Sequence, residues 1–381
     1  MNTIINFKCQ ACKFFKLLKI DKYTDLPRVT SDSKPFSKGG NLFVCSNCGL
    51  VQKIPDTDWF NEINYIYLNY DMYHQSASVD QTVFDTVTNL PRGRSEVLAI
   101  NLIKSGYLPK KGCLLDVGAG SGAMLSAFGK VSNQWQLYGY DLDKRREESL
   151  ATIPGFEKLF TENMENINQQ FDLLTLIHSL EHFPNPIETL EILKKNIVSD
   201  GKIFIQVNNV EKMPFDLVVA DHLCHFSPSS LSYLVNSAGY FIEYINTEWV
   251  NKEISMLISN RKDNIEIFTN NSEISVKRTN DDIAWLSAML GEAKKYSTSG
   301  NFGIFGTSIA ATWIASELGD KINFFVDEDP ERKGRFHLNR PIITPNEIPE
   351  NATIFLAFIP EVADKISKRL EHLNLKFVAK S

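Results

Sequence analysis

Leu114-Leu115-Asp116-Val117-Gly118-Ala119-Gly120-Ser121-Gly122 is the stretch on which the reading of this chain turns. An apolar strand ends in an acidic residue, glycines follow at every second position, and a helix-forming run begins at Ala123. Such a turn lets a ligand lie against bare backbone, because side chains at Gly118, Gly120 and Gly122 would fill the ligand's space. The next strand, Trp135 to Tyr140, ends in Asp141, nineteen residues past Gly122. A carboxylate there can accept hydrogen bonds from both hydroxyls of a ribose. The pattern predicts an α/β core that holds an adenosine-containing cofactor.

The spacing separates the candidate cofactors. Nicotinamide proteins space their glycines G-x-G-x-x-G and present a helix N-terminus to a pyrophosphate. Here the order is G-x-G-x-G with Asp116 beside it. That carboxylate repels a diphosphate but suits a cationic ligand. S-adenosylmethionine carries a sulfonium and an ammonium and no phosphate, so electrostatics favour it. The order D-x-G-x-G-x-G, followed by a strand ending in Asp, resembles the class I methyltransferases. The strand Phe171 to Ile177 and the segment His178-Ser179-Leu180-Glu181-His182 after it are similar to the part of that family that flanks the methyl donor. The resemblance implies that His178 contacts the cofactor. Glu162 and Asn163, after the short apolar Leu159-Phe160, read equally as the partners of the adenine amino group, with Asn163 the candidate, or as a short polar loop.

Composition bounds the rest. A chain of 381 residues exceeds one ordinary core, so two or three domains are expected. Hydrophobic residues at 43% and charged residues at 23% are those of a soluble globular protein. A net charge of -6 gives no electrostatic basis for nucleic acid or an anionic membrane as main partner. No apolar run reaches the length of a bilayer span. The N-terminus alternates lysines with short apolar patches and does not read as a signal peptide, so a cytoplasmic setting is expected.

Four of the six cysteines form two C-x-x-C pairs, Cys9/Cys12 and Cys45/Cys48. Two such pairs complete a closed tetrahedral site, which in a reducing compartment reads as structural zinc. Redox C-x-x-C opens a helix in a thioredoxin-like unit, and neither pair has that context. The segment between the pairs is polar and is expected to have a poor core, for which a metal would compensate. Cys113 is expected to be buried at the start of the first strand. Trp59 to Asp80, rich in Trp, Tyr and His, reads as a linker packed on the next domain, with one or two rings near cofactor or substrate.

Further along, helices are expected from Arg94 to Ser105, from Pro228 to Ala238 and from Asp282 to Tyr296. Strands are expected at Lys202 to Val207 and as a closing pair at Phe241 to Trp249 and Ile254 to Ser259. Asn260 to Asp281 reads as a connection. A second βαβ pattern, Phe302 to Asp327, has two glycines where a dinucleotide fingerprint has three. It reads equally as a phosphate seat or a structural turn. The expected division is 1–75, a zinc-binding module with the aromatic linker; 76–262, a methyl-donor domain; and 263–381, a C-terminal Rossmann-like α/β domain.

This arrangement resembles the three-part sugar C-methyltransferases of deoxysugar biosynthesis, over nearly the whole chain. The specific elements are the paired C-x-x-C ending in Cys48-Gly49-Leu50-Val51-Gln52, the glycine loop, and Asp221-His222-Leu223-Cys224-His225-Phe226-Ser227. The resemblance implies a nucleotide-linked keto-sugar as substrate, with a base removing the proton beside the ketone. It places Asp221 and His222 at the family's Glu-His pair, with His182 a second substrate contact. Two departures bear on the acceptor. Val219-Ala220 stands where the family has Tyr-His, and Tyr65-Ile66-Tyr67-Leu68-Asn69-Tyr70 where it has Tyr-x-Tyr-x-Ser-Ser. The alternatives are O- or N-methylation at the same cofactor site, a zinc-containing scaffold with a vestigial pocket, and a nicotinamide enzyme using the C-terminal unit.

Overall fold

The computed structural model describes residues 3–70, 80–84, 91–261, 272–298 and 300–380. Its central sheet has seven strands: β1 (Gly112–Val117), β2 (Trp135–Tyr140), β3 (Phe156–Phe160), β4 (Phe171–Ile177), β5 (Ile197–Asn208), β6 (Phe241–Asn246) and β7 (Glu253–Ser259). Their spatial order is β3-β2-β1-β4-β5-β7-β6. The strands β1 to β5 run parallel, and β7 enters antiparallel between β5 and β6. This is the Rossmann-like fold of class I methyltransferases, with the closing antiparallel pair that the sequence predicts.

Period-two alternation explains why the sheet is buried on both faces. Leu114, Leu137, Leu173, Phe204 and Leu257 face one core, with Leu98, Leu102 and Phe128 of the helices Arg94–Lys104 and Ala123–Val131. Leu115, Leu174, Ile203, Ile205 and Met256 face the other, with Leu190 and Leu234 of Pro186–Leu193 and Pro228–Ser237. Ser227 caps the latter helix through a reciprocal bond pair with Ser230.

The N-terminal sheet pairs Ile4–Ile5, Leu17–Lys19, Phe43–Cys45 and Val51–Gln52, and its last strand is Cys224–His225 from the middle of the chain. The C-terminal sheet runs Phe336–His337, Arg340–Ile343, Phe324–Val326, Phe302–Phe305, Thr353–Leu356, Lys376–Val378.

Four expectations change. Thr57–Leu68 is a helix, capped by Asp56 and burying Trp59, Ile63 and Ile66 on one face; Tyr73 and His74 of the expected linker lie outside the described residues. A helix also spans Ser272–Tyr296, so the expected connection is helical from Ser272. The segment between the cysteine pairs does not lack a core. Ile20, Tyr23, Leu26, Val29, Leu42 and Val44 join one hydrophobic cluster with Trp313, Phe325 and Phe355 of the C-terminal unit. Cys113 is half-buried, because it stands near the start of β1 where Gln136 reaches its thiol.

Candidate active site

The glycine loop leaves β1 at its carboxyl end, where open α/β sheets bind ligands. Gly118, Gly120 and Gly122 all have positive φ, at 84°, 51° and 78°. Their surroundings differ. A Cβ on Gly118 would lie 2.8 Å from the Cβ of Ser179, and one on Gly122 would lie 2.4 Å from Leu150 Cδ2. At Gly120 the nearest atom would be 4.0 Å away. Only Gly120 therefore keeps open space for a ligand. The other two glycines admit the neighbouring protein, which corrects the expectation that all three face it.

Asp141 holds the loop from the end of β2: its Oδ2 accepts from Gly120 N at 2.8 Å and its Oδ1 from Asp143 N at 2.9 Å. Asp116 is 3% exposed and accepts from the Thr175 hydroxyl at 2.7 Å. Burial pushes its pKa up to about 7 against that hydrogen bond, so its charge is poised near neutrality. A cationic ligand would draw it to the ionised form. Asn163 is exposed and its side chain accepts from Glu165 N at 3.0 Å, capping a short turn.

His178 follows β4 with φ 49°. Its Nδ1 lies 3.2 Å from Glu181 Oε1 and its Nε2 3.1 Å from Glu253 Oε2. Burial and nearby Arg94 oppose its charge, but the two carboxylates outweigh them and raise it to about 9. Both ring nitrogens of His178 are thus committed to carboxylates at the carboxyl end of the sheet.

Beside it stand the candidate reacting groups. His182 Nδ1 is 3.1 Å from Asp221 O and 3.2 Å from the Tyr67 hydroxyl, and its ring meets His222 edge-on with centroids 4.7 Å apart. Burial lowers the pKa of His182. Asp221 is fully buried, yet it does not hold the His222 ring: its carboxylate accepts from Ser31 N at 2.8 Å and from the Ser31 hydroxyl. The acid on His222 is Asp216, whose Oδ1 lies 2.8 Å from Nδ1. Asp216 also reaches His225 Nδ1 at 2.7 Å. Burial disfavours the charged form of His222, but Asp216 prevails and raises its pKa. The sequence reading missed Asp216 because it sits outside the motif, on the 3-10 turn Pro214–Val218. It also missed Lys53, wholly buried, whose pKa burial lowers to about 7.

Of these groups, His182, Asp216 and His222 line a cleft of about 1090 Å³ built from all three parts of the chain. His178, His182 and His222 contribute from the central domain, Ser31 and Tyr70 from the N-terminal module, and Arg332 from the C-terminal unit.

The cysteines form a separate cluster. Cys9 Sγ is 3.6 Å from Cys48 Sγ, Cys12 Sγ is 3.6 Å from Cys45 Sγ, and all four sulfurs lie within 4.8 Å of one another. Ligands at about 2.3 Å around a tetrahedral zinc stand about 3.8 Å apart. The Ala11 and Asn47 amides point at Cys9 and Cys45 Sγ, both at 3.4 Å, as donors that would support thiolates. The donor set fits zinc.

Residues 92–244 match the sequence family described as a methyltransferase domain. Over 167 residues the chain is 25% identical to the ubiquinone biosynthesis O-methyltransferase of Actinobacillus pleuropneumoniae serotype 7 (strain AP76), covering 37% of this chain and 70% of that one. Among solved structures it is similar to the mitomycin 7-O-methyltransferase MmcR, at 16% identity and TM-score 0.39, over 43% of this chain and 52% of the other. It is also similar to CalO1, a methyltransferase of calicheamicin biosynthesis in its SAH-bound form, at 16% identity and TM-score 0.35, over 42% and 54%. The family match defines the class of the central part of the chain: residues 92–244, which carry most of the central sheet, match a methyltransferase domain. Among the described residues no helix is long and apolar enough to cross a membrane.

Proposed function

We propose that this enzyme C-methylates a keto-deoxysugar linked to a nucleotide, with His222 as the base. One observation carries the reading: His222 Nδ1 is held by Asp216, and the ring lines the cleft beside His182. With Nδ1 committed, Nε2 is the nitrogen that can take a proton. His222 removes the hydrogen on the carbon next to the ketone, breaking that C–H bond and becoming imidazolium. Asp216 stabilises this cation, and the carbon becomes the nucleophile of an enolate. Asp116, Gly120 and Asp141 would hold S-adenosylmethionine, with Asp116 facing its positive charge and Asp141 its ribose. When bound, it would supply an electrophilic methyl group to that carbon and leave as the neutral thioether. Orientation in the cleft contributes much of the acceleration.

The four cysteines hold zinc in this reading and Cys113 and Cys224 stay as thiols, a pattern that suits a reducing, cytoplasmic setting. A second reading, O-methylation, draws on the 25% identity with an O-methyltransferase; it needs no carbon acid and no enolate. The deciding experiment incubates the enzyme with methyl-labelled donor and a panel of nucleotide-linked 4-keto sugars, read by mass spectrometry and NMR. Label on ring carbon supports the proposal. Label on oxygen moves the function to the second reading, and no label on any sugar overturns both sugar assignments.

A further inference from the structure

The network behind His222 reaches further than one carboxylate. Lys53 follows the strand Val51–Gln52 of the N-terminal module and projects into the central domain. Its Nζ donates to Val219 O at 2.5 Å and to His222 O at 2.6 Å, and lies 3.4 Å from His225 Nε2. In its charged form Lys53 has three hydrogens and no acceptor site, and these three acceptors use them all; the Asp216 carboxylate at Nδ1 demands the same His225 tautomer whichever form the amine takes. A donor at Nε2 makes that nitrogen of His225 the acceptor, so the ring carries its proton on Nδ1 and gives it to Asp216 Oδ2 at 2.7 Å. The other oxygen, Oδ1, takes the His222 Nδ1 hydrogen at 2.8 Å and a second bond from Asn208 Nδ2 at 2.8 Å. Asp216 therefore accepts three hydrogen bonds and donates none, the environment of an ionised carboxylate.

We infer that Lys53, His225 and Asp216 form a buried relay that locks His222 in its Nδ1–H form and sets its affinity for the transferred proton, with Asp216 as the positioning residue. The inference rests on His222 as the reacting imidazole. It assigns the N-terminal module a part in the reaction, through one lysine. In this relay His225 orients Asp216 and does not touch substrate.

The electrostatics agree with the geometry. Burial opposes the charge of Asp216, but the imidazoles of His222 and His225 outweigh it and hold the acid well below the carboxylate range. Burial and Lys53 drive His225 down to about 4, which keeps it neutral. The groups facing His222 from the elements around it are Asp216, Glu181 and Asp221, which favour its cation, and His182, His225 and Lys53 (the last on the His222 carbonyl), which disfavour it when charged. Among the three acids Asp216 is the one bonded to the ring, and its effect is the strongest.

The test reads imidazoles, not turnover. The full-length, zinc-replete protein is labelled with 15N-histidine, which gives seven side chains, and the His222 signals are assigned by their loss in His222→Asn. In the natural protein His222 shows the Nδ1–H pattern and titrates above an ordinary histidine. Asp216→Asn lowers that midpoint by about 1 pH unit or more and mixes the tautomers. In parallel, the acidic limb of the kcat/KM profile moves to lower pH, since the base must be neutral to act. An unchanged His222 midpoint in folded Asp216→Asn, with donor binding intact by calorimetry, overturns the inference. Should Asp216→Asn fail to fold, Lys53→Met serves, because it leaves the acid in place. His225 keeps its Nδ1–H, which Asp216 still holds, but its midpoint rises without the cation at Nε2, and an unaltered His225 midpoint overturns the relay. These spectra need no acceptor, so a wrong sugar assignment leaves them as expected.

Discussion

Gly120 and Gly122 look alike in the chain and differ in what stands beside them. A methyl on Gly122 would enter Leu150 and Ile153, whereas one on Gly120 meets open space. Gly122→Ala is expected to lower thermal stability sharply, by about 1–3 kcal/mol from overpacking, with the backbone strain added. Gly120→Ala is expected to fold and to weaken donor binding about tenfold or more, measured by calorimetry. His222→Asn should reduce kcat about 10²–10⁴-fold while leaving donor affinity within about twofold, because it removes the base and no cofactor contact. Asp116 gives a pH-dependent prediction. Its folded pKa of about 7 stands above the unfolded carboxylate value, so its contribution to stability is present below the unfolded pKa and is lost as pH rises through about 7. Asp116→Asn keeps a partner for Thr175 and removes the buried charge. Its melting temperature should therefore gain on the natural protein between pH 5 and pH 8, while donor binding falls; an equal difference at both pH values would rule this out. At this scale the motif residues were legible because main-chain geometry demands glycine at fixed spacing. Asp216 was not, since nothing local marks an acid that acts on a ring six residues later.

At the scale of elements, legibility followed the source of the burial. The spans of β2 and β4 were read to the residue: β4 is an apolar run buried on both faces, and β2 buries Trp135, Leu137 and Gly139 on one face while exposed Gln136 and half-buried Tyr138 alternate with them. The helix Ser272–Tyr296 was only half visible. Its buried face begins with Ser272, Ser275 and Thr279 before Ile283, Leu286 and Leu290 take over, so the first turns carry the right spacing without the hydrophobicity. The helix Thr57–Leu68 was hidden differently: Phe60, Tyr65 and Leu68 stay exposed and blur the stripe made by Trp59, Ile63 and Ile66. The cysteine knuckles join the N-terminal strands to the last strand, Cys224–His225, which carries the relay histidine. Stripping the metal with a chelator, or Cys45→Ser with Cys48→Ser, is expected to release one zinc per chain by elemental analysis and to lower the melting temperature. Because the strand after the knuckle positions Lys53, kcat should fall even where the central domain still binds donor. Full activity in metal-free protein would separate the knuckle from the reaction.

Over the whole molecule, the three sheets are not beads on a string. The N-terminal module has its own Arg28–Glu62 pair, at 2.6 and 2.8 Å with Arg28 1% exposed, yet its hydrophobic residues close against the C-terminal unit. Trp313 is the centre of that contact. It is fully buried, packs on Phe215 at 6.0 Å between centroids, and donates from Nε1 to Pro27 O at 2.7 Å. One side chain thus ties all three parts together around the cleft. Sequence alone did not show this, since nothing in the segment between the cysteine pairs says that its apolar residues belong to a core completed far along the chain. Trp313→Phe removes one buried hydrogen bond and some volume, and Trp313→Ala leaves a cavity costing about 3–5 kcal/mol. The cavity lies away from the glycine loop but beneath the walls of the cleft. Trp313→Ala is therefore expected to raise KM for the acceptor several-fold with donor affinity unchanged, and to split one cooperative melting transition into two. Calorimetry and steady-state kinetics on the same preparation check both. A single transition with an unaltered acceptor KM would show that the cleft is shaped by the central domain alone.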